Sequence, residues 1–452
     1  MKLDYRKTFL IGFGFLASSL AWSLYNAYVP TMLEERFALS TTLIGTIMTI
    51  DNFFGIIFQP IVGVLSDRTH TRFGHRMPWI MVGLPICATL FAIIPQMYTL
   101  TSMMIILIGF NFVMSLWRSP VIALMPDVTP RPLRSKANGV INLMGGIGSI
   151  IAFFFGGKLS QWDPSNKAAF LMGTVTMLIS LIMLMLFVRE PSALPRGAKN
   201  DPALLAAWQD QRRKRIDEQR RKRAALAEDT AHLSRWARLK QELFALPPPE
   251  LRSLIFMLLA IFFWFCAYNA IETFYTLYAV NVLGVSQGEG AQMLTAFSLT
   301  FVAFALPAGL LGSKLGRKRT ILIGLTGITL AFVPVLFMEN RLIVTALLAV
   351  GGVFWACINI NSLPMVVELA TKDKVGSFTG YYYFFSFSAA ILAPIIFGAI
   401  RDLTDNYSLL FVFSCAAFIL ALISMLFVKH GEARPEADET SETTVVNNDA
   451  TI

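Results

Sequence analysis

The sequence predicts an all-α membrane protein whose twelve transmembrane helices form two pseudo-symmetric six-helix bundles. Three observations predict it: an unusually apolar chain, a one-sided distribution of positive charge, and an echo of the first half in the second. The chain of 452 residues is 55 % hydrophobic and only 15 % charged, with a mean hydropathy of +0.59. A water-soluble enzyme of this length is excluded, because soluble domains carry about 25 % charged residues and much more polar surface.

Taking the spans in order, apolar stretches occur near 8–30, 41–65, 77–98, 100–125, 137–160, 166–189, 251–280, 288–312, 318–338, 341–366, 376–400 and 406–428. Each matches the roughly 20 residues that cross a hydrocarbon core of about 30 Å as a helix. The first follows Arg6 and Lys7 as a signal peptide would, but it is too long and lacks a small-residue cleavage site, so it reads as a span. The net charge of +9 does not point to nucleic acid. Of 38 Lys and Arg, Arg36, Lys158, Lys167, Arg341 and Arg401 fall on one side and Arg118 falls inside a span; the other 32 lie on the opposite side. That skew places both termini in the cytoplasm of a cell membrane protein. The four cysteines (Cys87, Cys266, Cys357, Cys415) stand singly within spans, with no disulfide or metal-ligand spacing.

The expected organisation is a first bundle over 1–189, a cytoplasmic linker over 190–250, a second bundle over 251–428 and a disordered tail over 429–452. The linker's basic core, DPALLAAWQDQRRKRIDEQRRKRAALAEDTAHLSRWARLKQEL, reads as a helix capped at Asp201-Pro202 and ended by Pro247-Pro248-Pro249. It is either a solvated connector or a basic face resting on anionic lipid. The halves echo each other at nearly one offset. Tyr25-Asn26-Ala27 recurs 243 residues later as Tyr268-Asn269-Ala270, Gly74 recurs as Gly316 after 242, and Asp127 and Gly139 recur as Glu368 and Gly380 after 241. Three matches in order indicate a duplicated six-span unit, an architecture used by secondary transporters with the substrate site between the halves.

One loop concentrates polar chemistry: SDRTHTRFGHRMPW, residues 66–79. With the residues before it, GVLSDRTHTRFGHR resembles the loop between helices two and three of the major facilitator superfamily, in which Gly63, Asp67, Arg68, Gly74 and Arg76 fill the signature places. The second copy keeps Gly316-Arg317-Lys318 but has Ser313-Lys314 for Asp-Arg. The extra residues Thr69 to Arg72 and the following Pro78-Trp79 are similar to sucrose transporters and to the glycoside–pentoside–hexuronide cation symporters. ALMPDVTPRPLRSKANG at 123–139 resembles a sucrose-transporter stretch whose acid matches Asp127, with Ile122 where its arginine stands and Arg118 one turn away. The resemblance implies the major facilitator fold, and a cytoplasmic gate built from Asp67, Arg68, Arg72, Gly74, Arg76, Asp127, Arg134 and Glu368.

Ionisable groups at membrane depth are costly and usually face a cavity. Asp51, about ten residues into span two, is the first candidate for proton coupling. Glu272, on one face of span seven with Tyr268 and Asn269, is the second. A carboxyl in a dry site exchanges its charge for a proton readily, which suits a group that loads and unloads as access alternates. The related cation symporters carry their acids nearer the proline that matches Pro60, where this chain has Gly55 and Gln59. The expected coupling ion is therefore the proton rather than sodium, with no other cofactor. Trp22, Tyr25 and Asn26 on span one, and Trp264, Tyr268 and Asn269 on span seven, form two aromatic–amide clusters suited to a sugar, whose C–H faces stack on rings while its hydroxyls pair with amides. Asn111, Arg118, Asn142, Asn359 and Asn361 are further candidate contacts.

GGIGS at 145–149 lies inside a span with no preceding strand, so it is a helix-packing element rather than a phosphate loop. His70 and His75 lack a third ligand, so no metal is expected, and no hydrolytic constellation points to an enzyme. The expected function is proton-coupled symport of a sugar, a di- or oligosaccharide such as sucrose or maltose, by a monomer whose partners are a small solute and the lipid bilayer. The alternatives are a drug or metabolite proton antiporter of the same superfamily and a non-transporting membrane sugar sensor.

Overall fold

A computed structural model describes residues 3–69, 71–130, 133–190, 248–369 and 375–431, with a few positions between 206 and 221, leaving aside the side chains of Arg134, Ser135, Val375 and Gly376. Among these residues are twelve helices long and apolar enough to cross a membrane. They are α1 (Tyr5–Phe37), α2 (Thr41–Arg68), α3 (Met77–Gln96), α4 (Leu100–Val128), α5 (Lys136–Trp162), α6 (Lys167–Phe187), α7 (Pro248–Leu283), α8 (Gln287–Leu315), α9 (Arg317–Phe337), α10 (Arg341–Glu368), α11 (Ser377–Thr404) and α12 (Leu409–Leu426). The expected basic linker helix falls almost wholly outside the described residues, as do His70, the tail beyond 431 and the side chain of Arg134.

Hydropathy marks where lipid ends, whereas backbone hydrogen bonding decides where a helix ends. Helix α1 runs on to Phe37, beyond the expected end at 30, so that Glu34 and Glu35 stay helical and project at the membrane edge. Helix α7 is similarly extended, to 36 residues. Helix α2 is interrupted at Thr49, which separates Thr41–Met48 from Ile50–Arg68. The interruption puts Asp51 in the first turn of the second segment. There the unpaired N–H groups and positive dipole end of a helix favour an acidic side chain at a depth where lipid would not.

Helices pack by the same scheme in each half. In the first, α1 packs on α5 and α6, α4 on α2 and α3, and α3 on α6; in the second, α7 packs on α11 and α12, α10 on α8 and α9, and α9 on α12. Aromatic side chains fill both cores, with Tyr25, Phe91, Phe110, Trp117 and Phe170 in one and Trp264, Phe274, Tyr275, Phe332 and Phe411 in the other. The halves meet along two equivalent seams, α5 on α8 and α2 on α11, and where α1 crosses α7. Glycine permits the close approach at both seams. A Cβ on Gly288 would lie 2.4 Å from the carbonyl oxygen of Gly157, and one on Gly45 would lie 2.3 Å from that of Pro394.

Candidate functional site

Both termini-side loops are held by charge. Gly74 takes φ +112°, a backbone that only glycine adopts freely, and the turn delivers three consecutive N–H groups to one carboxylate. Those of His75 (2.9 Å), Arg76 (2.8 Å) and Met77 (2.5 Å) all donate to Glu190, which so caps the start of α3 from just beyond α6. The buried Arg76 guanidinium pairs with Asp67 of α2, and with Asp127 of α4 at 2.9 Å, and donates to Ser66 and to the Gly63 carbonyl. The His75 ring lies 3.1 Å from Asp127. The second half repeats the staple: Arg317 reaches Glu368 at 3.0 Å and the Pro364 carbonyl at 3.1 Å, after Gly316 at φ +93°. Arg76 and Asp127 each stand 241 residues before their counterparts. Arg317 is thus the structural equivalent of Arg76, not of His75 as the aligned Gly-Arg-Lys strings imply. Arg68 is exposed, and Arg72 is spent on the ring of Phe73 at 4.7 Å. Among the described residues, the ion pairs on this face all stay within one half.

Among the described residues, a cluster of polar bonds that bridges the halves lies on the opposite face, and the sequence reading missed it. Asp402, at the end of α11, caps the start of α2 across the seam, accepting from the N–H groups of Thr41 and Thr42 at 2.8 Å each and from the Thr42 hydroxyl at 2.6 Å. Tyr407 donates to Glu34 at 2.6 Å, and Arg401 lies 3.8 Å from the same carboxylate. Burial and the Glu34 carboxylate push the Tyr407 phenol above its usual range, so it remains a donor. Gln287 of α8 bonds Glu35 and Thr31 of α1 and Asn166 before α6, and Gln161 bonds Gln292 at 2.9 Å. A cap borrowed from the other half leaves no local signature; only the pairing of Arg401 with an adjacent Asp402, on a side poor in charge, hinted at it.

Between the two faces lies a narrow cleft lined by Trp22, Asp51, Asn52, Gly55, Gln59, Asn111, Met114, Ser115, Arg118 and Phe387. Helices α1, α2 and α4 form most of its wall and α11 contributes Phe387. Asp51 accepts from Asn52 at 2.7 Å. Arg118 lies over the Trp22 ring at 5.8 Å and faces Asp51, Glu272 and Tyr383, with no carboxylate within ion-pair distance among the described residues. Glu272 reaches across from α7 to lie against Asn26 of α1 and beside its own Tyr268. Three ionisable groups from both halves thus face one another at membrane depth, where Arg118 lowers the cost of burying each carboxylate while the two carboxylates oppose one another.

Other predicted contacts lie elsewhere. Trp264 is 0 % exposed in the core of the second half. At the 243-residue offset the counterpart of Trp22 is Phe265, and one residue turns a helical side chain by about 100°, which takes Trp264 away from the cleft. Asn361 is consumed as helix glue, donating to the carbonyls of Ala308 at 3.1 Å and Cys357 at 2.9 Å. Asn142 and Asn269 donate to carbonyls four residues back in their own helices. Asn359 is outside the cleft lining. Tyr25 is fully buried behind the wall, where its hydroxyl bonds Asn111 at 3.1 Å. Tyr268 stacks flat on Trp355 at 4.5 Å.

Comparison with known proteins places this geometry. An isoprimeverose transporter of Lactiplantibacillus pentosus is 24 % identical over 183 residues, covering 37 % of this chain and 38 % of its own. A sucrose transport protein of Arabidopsis thaliana is 25 % identical over 223 residues (38 % and 34 %). A multidrug resistance protein of Proteus mirabilis is 30 % identical over 169 residues (36 % and 41 %). The matched region thus spans little more than a third of each relative. Among solved structures, a nucleoside transporter superposes with a TM-score of 0.65 at 14 % identity, covering 94 % of this chain and all of that one. A POT family transporter in complex with 5-aminolevulinic acid superposes at 0.66 and 12 % identity, covering 94 % and 96 %. At those identities the likeness is one of fold. The model of the Major Facilitator Superfamily matches residues 11–294 and 281–448, nearly the whole chain, and the protein is therefore a multi-pass membrane protein belonging to that superfamily.

Proposed function

We propose that the chain is a proton-coupled symporter of a sugar, working by alternating access with its termini in the cytoplasm. The observation that carries the reading is that Asp51 and Arg118 line one cleft beside an aromatic ring and amide groups, with Glu272 of the other half facing them. A proton on Asp51 cancels its attraction for Arg118 and frees the guanidinium for solute hydroxyls; losing the proton restores the attraction and expels the solute. The hydrogen bonds across the far face then belong to the state open toward the termini. The sugar assignment draws on the names of the two sugar-transporting relatives and on the chemistry of the lining.

In proteoliposomes, labelled sucrose or maltose is expected to show counterflow, and an inward proton gradient is expected to drive uphill uptake. Asp51→Asn should keep counterflow and lose uphill uptake. Uphill uptake intact in Asp51→Asn would remove Asp51 from coupling, and no counterflow with any sugar of a broad panel would remove the sugar. The multidrug resistance relative favours a second reading, proton antiport. Proton movement opposite to that of the solute would identify it.

A further inference from the structure

We infer that the first-half wall of the cleft reads a single solute hydroxyl through Trp22 and Asn111, with Tyr25 as the residue that positions both. The inference rests on the reading of the solute as a sugar and goes further by naming the atoms that set its specificity. Two buried polar atoms in the lining, Trp22 Nε1 and Asn111 Oδ1, have no hydrogen-bond partner. A buried polar group left unpaired costs about 1–3 kcal/mol, and of the nine such atoms among the described residues these two alone belong to cleft-lining side chains, where a solute can satisfy them. Both residues hang on one tyrosine. The Tyr25 hydroxyl takes one arm of the Asn111 amide at 3.1 Å, and the Trp22 ring packs edge-on against the Tyr25 ring at 5.5 Å. Phe110 stacks on Tyr25 at 5.5 Å and meets the Trp22 ring at 6.0 Å, so the three rings brace one another and fix the phenol. Asn111 is 1 % exposed and Tyr25 is 0 % exposed, so neither amide nor phenol has room to turn elsewhere.

An indole N–H only donates, and the amide oxygen only accepts. One hydroxyl group does both at once, accepting from Trp22 while donating to Asn111. A methyl or hydrogen in its place leaves both unpaired. A carboxylate satisfies the indole but repels the amide oxygen. The pair therefore selects a neutral hydroxyl at one position of the solute, separately from the charged groups Asp51, Arg118 and Glu272 that serve coupling.

The test uses purified full-length protein and thermal-shift binding of sucrose, maltose, D-glucose and D-xylose, followed by the monodeoxy analogues of whichever sugar binds best. Wild type should bind one monodeoxy analogue roughly ten- to a hundredfold more weakly than its parent, and the others nearly as well as the parent. Trp22→Phe and Asn111→Leu should each erase that difference. Tyr25→Phe, which removes only one oxygen, should raise KM for the parent sugar toward that for the deoxy analogue while leaving the maximal exchange rate unchanged. Sugar binding with no analogue singled out, or a discrimination that survives all three substitutions, overturns the hydroxyl-reading pair and leaves the transport reading standing. Failure of every sugar to bind overturns both.

Discussion

Asp402→Ala should loosen the far face without unfolding either helix it touches. The carboxylate accepts three hydrogen bonds from α2, two of them from backbone N–H groups at the helix start. Removing an N-cap acceptor costs about 0.5–2 kcal/mol, and charge-assisted bonds lie at the upper end when buried. Asp402 is exposed, which screens its charge and brings the expected loss to about 1–2 kcal/mol. Helix α2 keeps a cap of its own, since the Ser40 hydroxyl accepts from Leu43 at 3.3 Å. The loss therefore falls on the contact between halves and shifts the equilibrium toward opening by roughly 5- to 30-fold. A far-face-open population of about 1 % would rise to roughly 5–25 %. All four native cysteines are buried, so spin labels attach selectively to Trp162→Cys and Leu403→Cys, at positions 80 % and 87 % exposed on opposite halves. Pulsed electron resonance should show a longer-distance population appear in Asp402→Ala. A folded variant whose distance distribution matched the parent would refute the idea that this cap holds the halves together.

Arg76→Gln should lower the thermal midpoint in detergent more than Arg317→Gln does. Arg76 is the better buried and serves Asp67, Asp127 and Ser66, so its loss costs about 3–5 kcal/mol against about 1 for the more exposed second-half pair; equal losses would contradict this. Gly74→Ala should cost roughly 2–4 kcal/mol, because the backbone is strained and the new methyl meets the Glu190 carboxylate at 2.5 Å. Gly284→Ala, at φ +64° with open space around it, should cost only about 1 kcal/mol, and chemical denaturation of the pair compares them. Gly288→Ala should open the far face by a route independent of charge, since its methyl would meet the Gly157 carbonyl at 2.4 Å; the same label pair should report it, at high salt as well as low.

The membrane fold was legible because its signals are local and redundant. Span length, the charge skew and the 241–243-residue echo each constrain the topology alone. The staple on the terminus-bearing face was legible in part: Asp67, Arg76, Asp127 and Glu368 all pair as ions, but the partner that organises the turn, Glu190, sits beyond α6 with no spacing to connect it to Gly74. The cleft was legible where a residue type is expensive in lipid, as with Asp51 and Arg118, which Glu272 faces from α7. It was misread where the type is merely amphipathic, since a Trp or Asn on a membrane helix serves packing as readily as recognition. Trp22 and Trp264 differ by a single position relative to the repeat, and that position separates cleft from core.

Duplication preserved the supports and let the cleft diverge. Each half keeps a glycine in the left-handed region followed by an arginine bonded to an acid at the end of its fourth helix. The proposed rocking of two rigid bodies would need that support in both. The chemistry in the cleft is not repeated. Anchoring the second helices on Gly63 and Gly309 sets Phe297 against Asp51, and the counterpart of Trp22 is Phe265. In the cleft lining the second half contributes the Phe387 ring, where the first presents Asp51, Arg118, Asn52 and Asn111, and Glu272 faces them from α7. A solute held between a polar wall and an aromatic one has a defined orientation, which two identical walls would not give it. Charge moved across the seam is also felt differently by each half, because Asp51 and Arg118 move with one body and Glu272 with the other. If the halves rock as proposed, the distances among these three groups change, and a proton that alters their attraction biases the rocking by the same free energy.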